Sequence, residues 1–153
     1  MGLSLRPATE GDSERLLEWR NDPQTREMAV VQAAVARATH MRWLAARLGA
    51  ADTLLTIAEE DGVPVGTVRL DRHGSGEAEL SITIAPAARG RGLARPAIEL
   101  GVEHARREWG VEHVTARIRP ENAPSLRAFA AAGFERVREE GDLVVVTAAT
   151  RTG

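Results

Sequence analysis

Arg89-Gly90-Arg91-Gly92-Leu93-Ala94 is the stretch from which the rest of the chain is read. An alternating run (Leu80, Ile82, Ile84) that reads as a strand precedes it and stops at Pro86, and Ala94 to Trp109 reads as a helix. Proline is tolerated in the first turn of a helix but not deeper, so Pro96 puts the helix start near Gly92 or Leu93. A strand that passes through a glycine-bearing basic turn into a helix is built to hold an anion. The first helical turn leaves N–H groups unpaired, the helix dipole favours negative charge there, and glycine lets a ligand approach the main chain. Arg89 and Arg91 add donors that suit a pyrophosphate.

The type of phosphate site is narrowed by what is missing. No lysine occurs in the chain, so the Lys-Ser/Thr pair of a P-loop is absent and all basic residues are arginine. Gly90 and Gly92 begin a GxGxxG pattern, but Arg95 stands at the third glycine and no acidic residue marks a ribose site. A dinucleotide fold is therefore not expected. The 153 residues suit one domain, taken as residues 1–150. A net charge of −2 gives no electrostatic basis for nucleic acid or an anionic membrane as partner. No apolar run approaches a membrane span, no signal-peptide core opens the chain, and the expected location is cytoplasmic. With no cysteine there is neither a disulfide framework nor a thiol nucleophile, which excludes a covalent relay through a cysteine.

The remaining elements follow from pattern and punctuation. Ser4–Ala8 reads as a short strand. Thr9 and Asp12 resemble a capping box for a helix whose apolar stripe is Leu16, Leu17 and Trp19, ending by Asp22 because Pro23 disfavours helical geometry before it. A poorly patterned connection follows, then a helix from Val35 to Leu48 that stops at Gly49. Thr53–Glu59 and Val63–Asp71, joined by Asp61-Gly62, form a hairpin, and Glu77–Ala85 is the strand that enters the glycine turn. After the long helix come a strand at His113–Arg119, a helix from Asn122 to Ala132, strands at Phe134–Glu139 and Leu143–Ala148, and a frayed tail. This order implies a single α/β domain with a mixed central sheet and helices on both faces.

Arg89-x-x-Gly92-x-Ala94 resembles the (Gln/Arg)-x-x-Gly-x-(Gly/Ala) motif of the GNAT acetyltransferase superfamily. A second segment, Asn122-Ala-Pro-Ser125-Leu-Arg-Ala-Phe129-Ala-Ala-Ala-Gly133-Phe134, is similar to that family's Asn-x-x-(Ser/Ala)…Gly-Phe run. The resemblance spans essentially the whole chain and implies acetyl-coenzyme A as cosubstrate, with no metal. It assigns the pyrophosphate to Arg89, Gly90, Arg91, Gly92, Leu93 and Ala94. It gives the pantetheine to the main chain of Ile82 and Ile84, whose side chains are expected in the core. Asn122 and Ser125 are implied to contact the same cofactor. Many relatives carry a tyrosine where this chain has Phe129, and its hydroxyl protonates the departing thiolate. This chain contains no tyrosine. Ser125, a water or an unassisted thiolate must then serve, and Phe129 packs in the core or against the cofactor.

Acetyl transfer to an amine requires a polarised carbonyl, a deprotonated amine and a stabilised leaving thiolate. Glu77, Glu79, Ser81 and Thr83 share one face of their strand, and Glu79 is the candidate general base, directly or through a water. The same alternation also describes a solvated polar face. On the second helix, His40, Trp43 and Arg47 fall on one face, while Met41, Leu44 and Leu48 are expected to form the apolar one. The run Trp19-Arg20-Asn21-Asp22 with His40-x-x-Trp43 resembles the GNAT branch that acetylates nucleotide-linked amino sugars, of the pseudaminic acid pathway type. The substrate residues so implied are Arg20, Asn21, His40 and Trp43, with Arg69 as a further phosphate contact. For His40, an exposed helix histidine with no ligand is the competing reading. His73, His104 and His113 lack metal-ligand spacing.

The expected function is direct acetyl transfer to a small-molecule amine, preferably a nucleotide-linked amino sugar, by a monomer or homodimer. Two alternatives stand beside it. One is acetylation of protein N-termini, of the ribosomal-protein type; the other is a non-catalytic acyl-coenzyme A-binding module.

Overall fold

The alternating segment Thr53–His73 folds back on itself at Asp61-Gly62, both with positive φ, to pair strands β2 (Thr53–Glu60) and β3 (Val63–His73). The computed structural model describes residues 2–150. Strand β1 (Leu3–Pro7) flanks β2, and β4 (Glu77–Ile84) continues the antiparallel meander beyond β3. The chain then crosses over through the long helix to β5 (His113–Ile118), which runs parallel to β4, and β7 (Leu143–Ala149) and β6 (Glu135–Glu140) complete the sheet. The strand order is β1-β2-β3-β4-β5-β7-β6, mixed and seven-stranded.

Five helices cover the sheet: α1 (Ser13–Asn21), α2 (Pro23–Met28), α3 (Arg37–Leu48), α4 (Ala94–Trp109) and α5 (Ala123–Ala131). Two apolar clusters show why both faces are covered. Val68, Leu70 and Leu80 pack against Ile98 of α4 and Phe129 of α5 on one face. Leu55 and Ile57 pack against Leu16 and Trp19 of α1 and Leu44 of α3 on the other. Burying one such Leu or Ile contributes about 1.5–3 kcal/mol. Helix α4 sits unusually close to the sheet. A Cβ added at Gly101 would lie 2.9 Å from both Leu80 Cδ1 and Val68 Cγ1.

The expected α/β architecture and element order hold, with four local corrections. The capping box at Thr9 and Asp12 is present, but it starts a single 3-10 turn (Glu10–Asp12) that runs into α1. The connection after Asp22 contains α2, because Asp22 caps a helix with Pro23 in its first turn instead of only ending the previous one. On α3 the buried side chains are His40 and Leu44, one helical turn apart, whereas Met41 is exposed. Finally, Ile82 and Ile84 are half-buried and not core. Each sits at the margin of a different apolar cluster. The frayed tail falls partly on residues 151–153, outside the described residues.

Candidate active site

Strands β4 and β5 pair over only three positions, Glu77 with His113, Ala78 with Val114 and Glu79 with Thr115. Beyond Glu79 the two strands part, and the main chain of β4 from Leu80 onward has no neighbour on that side. A cavity of about 500 Å³ occupies the resulting wedge. Its wall includes Arg20, His40, Trp43, Arg69, Glu79, Ile82, Asn122, Ser125 and Phe129, nine of the residues singled out in the sequence. Asn21, Ile84 and the Arg89–Ala94 turn lie outside that wall.

The turn is shaped for close approach. Gly90 and Gly92 have φ of 76° and 72°, and a Cβ at either would meet nothing within 4 Å. The glycines are thus required by backbone conformation, in front of open space. Leu93 caps α4 and is buried, so it anchors the turn from beneath. The arginine side chains go elsewhere than the ligand reading implied. Arg89 Nη2 donates to Asp22 Oδ2 at 2.5 Å and Thr25 Oγ1 at 2.8 Å, and Nη1 donates to Gln24 at 3.2 Å. Arg91 pairs with Glu60. The turn therefore offers its main chain outward while Arg89 ties it to α2, whose Thr25 reaches the cavity wall.

On β4, Glu79 is the only carboxylate on the cavity wall among the described residues. It accepts from Arg117 Nε at 2.8 Å and lies 3.4 Å from His73 Nε2. This pairing raises the Arg117 guanidinium above its ordinary value, the hydrogen bond to Glu79 being the main cause. Across the wedge, Asn122 caps α5 by accepting from the Ser125 N–H at 3.3 Å. Its Oδ1 is so engaged, leaving the amide nitrogen for a ligand. Ser125 and Phe129 are one turn apart on the same helix face. The Phe129 ring is 2% exposed and meets Phe134 edge-on at 4.9 Å between centroids, so it packs as core at the position where the motif resemblance implied a tyrosine hydroxyl.

The other side of the cavity is formed by α1, α3 and residues 29–36. His40 is 3% exposed, and its Nε2 donates to the Ser13 carbonyl at 3.1 Å. Burial pushes the imidazole below its ordinary value, so the ring is a neutral strut between α3 and α1. The competing reading of an exposed helix histidine is thereby set aside, and the ring expected to bind substrate lies on the cavity wall with its Nε2–H engaged by Ser13. Trp43 stacks on His40 at 5.9 Å and takes Arg69 over its ring at 5.6 Å and Arg47 at 5.9 Å. Asn21 does not face the cavity. Its amide binds both main-chain groups of Val35 at 2.8 Å, which fixes the end of segment 29–36.

That segment is held by arginines the sequence did not single out for this purpose. Arg119 donates to the carbonyls of Ala29 (2.7 Å) and Val30 (3.0 Å), and Arg20 Nη2 donates to Val31 at 2.7 Å. Two-residue spacing aligns Arg117 on β5 with Arg119 just past its end, the signal that was available for them. Arg20 Nη1 is buried and, among the described residues, has no hydrogen-bond partner. Such a group costs about 1–3 kcal/mol when left unpaired. Burial, with repulsion from Arg69 and Arg26, pulls the Arg20 guanidinium below its ordinary value. Among the described residues no three His, Asp or Glu side chains come together to hold a metal.

No curated protein sequence matches the chain. In fold it is similar to the aminoglycoside acetyltransferase AAC(6')-Ib in complex with ribostamycin and coenzyme A, at 21% identity, 97% and 94% coverage of the two chains and a TM-score of 0.85. It is also similar to spermidine N-acetyltransferase from Vibrio cholerae in complex with coenzyme A and spermine, at 16% identity, 97% and 95% coverage and a TM-score of 0.86. A domain from Methanocaldococcus jannaschii matches at 20% identity, 97% and 98% coverage and a TM-score of 0.85. The family model for the acetyltransferase (GNAT) domain matches residues 3–135. With the motif turn, the parted strands and this match in place, the chain belongs to the GNAT acetyltransferase family and is an N-acetyltransferase of that type.

Proposed function

We propose that the chain transfers an acetyl group from acetyl-coenzyme A to a small-molecule amine by direct attack, with a nucleotide-linked amino sugar as the preferred acceptor. The observation that carries this reading is the wedge between β4 and β5. Its wall carries indole and guanidinium groups, and β4, which forms one side of it, runs on past the cavity into a glycine turn that is open to the outside. The residues fit acetyl-coenzyme A: the Gly90–Ala94 main chain suits its pyrophosphate, and the free edge of β4 suits the pantetheine amides. The thioester supplies the acetyl group. Glu79 takes the amine proton, directly or through a water, and Arg117 holds that carboxylate in place. The indole of Trp43 supplies a surface for a ring, and Arg20 and Arg69 supply donors for phosphate.

A peptide N-terminus is less well served. Segment 29–36 lies along the cavity, clamped by Arg20, Arg119 and Asn21, where an extended chain would need an open groove. The binding-module reading draws on one observation, the buried Phe129 ring in place of a hydroxyl.

The test is coenzyme A release, followed with a thiol reagent, on UDP-linked amino sugars, N-terminal peptides, aminoglycosides and polyamines. The protein has no cysteine and adds no thiol background. Turnover confined to the nucleotide sugars is expected. Turnover on peptides alone would replace the acceptor while keeping the cosubstrate, and acetyl-coenzyme A binding without turnover on any amine would favour the binding module.

A further inference from the structure

The charges around the acceptor end of the cavity do not balance. Arg69 Nε donates to Asp71 Oδ2 at 2.9 Å, and Arg47 donates to the other oxygen of the same carboxylate at 2.7 Å. Glu79 is matched by Arg117. Arg20 has no carboxylate partner among the described residues, only the Val31 carbonyl, and its Nη1 is unbonded. Arg20 and Arg69 are close enough to repel one another. Arg47 and Arg69 therefore share Asp71, Arg20 has no carboxylate to itself, and the one acid on the cavity wall among the described residues, Glu79, is already paired with Arg117.

We infer that Arg20 and Arg69 form an oxyanion subsite, and that the acceptor is an amine whose own molecule carries a phosphoryl or carboxylate group seated between them. The inference rests on the N-acetyltransferase reading of this cavity but not on the identity of the sugar. A guanidinium with a spare donor edge pairs with such a group through two hydrogen bonds, and the low-dielectric wall strengthens the pairing. The same excess of positive charge works against polycations. Spermine or an aminoglycoside would bring further positive charge to a wall with no free carboxylate among the described residues to receive it, so polycations of the kind bound in the two enzymes of similar fold are disfavoured by charge.

The experiment uses matched pairs of amines. Glucosamine 6-phosphate against glucosamine probes the phosphoryl source, 4-aminobutanoate against 4-aminobutanamide probes the carboxylate source, and spermidine serves as the polycation. Two readouts are taken: kcat/KM from coenzyme A release, and calorimetric affinity for the protein saturated with coenzyme A, which keeps anions off the glycine turn. In at least one pair the charged member is expected to be favoured by tenfold or more in affinity, with spermidine the weakest acceptor. Arg20→Gln should bring the ratio within that pair to near one. Coenzyme A affinity reports whether this variant is folded, and Arg69→Gln, read the same way, serves if it is not. Equal affinity within both pairs, a preference for spermidine, or a ratio unchanged in both variants would overturn the inference. Anion-selective binding without turnover would support it, the catalytic reading being tested separately by turnover on the nucleotide-linked sugars.

Discussion

Asp12 shows how much one side chain contributes here. It is 1% exposed and accepts from Arg6 at 2.9 and 2.8 Å, from the Thr9 N–H at 2.8 Å and from Arg15. The hydrogen bonds from Arg6, reinforced by Thr9, hold its carboxyl well below the usual carboxylate range against the opposing effect of burial. Its folded-state value lies below the roughly 3.9 of an unfolded chain. Asp12 therefore favours the folded state fully above that pH and loses this contribution as pH falls toward the folded-state value. Asp12→Asn should cost about 2–4 kcal/mol at pH 7 and flatten the decline of Tm between pH 5 and 2, which thermal melts across that range will measure. Glu79 is tested by chemistry. As the general base, Glu79→Gln should lower kcat by about 100-fold with acetyl-coenzyme A affinity unchanged. A drop below threefold would return Glu79 to a structural partner of Arg117. The capping role of Asp12 was readable because Thr9 and Asp12 stand three apart. Its clamp by Arg6 was not, since the capping pattern says nothing of a strand residue.

At the level of elements, legibility followed whether the deciding partners were local. The Gly92 turn, the Pro96 position in α4 and the Asn122 cap of α5 depend on neighbours within four residues and were read from them. Helix α2 was equally local, but Pro23 was read only as a stop for α1, and α2 buries no side chain that would have given it an apolar stripe. The apolar face of α3 was misassigned because His40, a polar residue type, was set apart from the residues expected to be buried, whereas it is buried together with Leu44. The His40 ring is largely apolar, and its Nε2–H is satisfied by the Ser13 carbonyl, 27 residues away. Segment 29–36 was opaque for the same reason, being held by Arg119 from the other side of the chain. Pairing between β3 and β4 offers a prediction of its own. A Cβ at Gly66 would lie 2.5 Å from the Thr83 carbonyl oxygen and 3.3 Å from Ile84 Cα, and neither can yield without moving β4. Gly66→Ala should cost about 1–3 kcal/mol, lowering Tm by roughly 3–10 °C. It should also weaken coenzyme A binding by displacing the strand edge; unchanged affinity in a calorimetric titration would show that β4 does not carry the pantetheine.

Over the whole molecule, the sheet is guarded at one end and broken in the middle. Strand β6, Glu135–Glu140, is exposed at every position and charged at five of six, which discourages further strands from adding to that edge. No helix among the described residues is long and apolar enough to cross a membrane. Where β4 and β5 separate, the sheet becomes two parts, β1 to β4 and β5-β7-β6, joined by three residue pairs and by the helices that span them. A ligand in the wedge touches both parts. At one hundred times its Kd, coenzyme A should stabilise the protein by about 2.7 kcal/mol, raising Tm by roughly 5–10 °C in a thermal melt. The break also gives the molecule a mechanical seam. Amide hydrogens on the two sides should exchange as separate opening units in the free protein and merge into one when the cleft is filled. The reaction and the integrity of the sheet then depend on the same gap, and each turnover, by emptying it, returns the protein to its looser form.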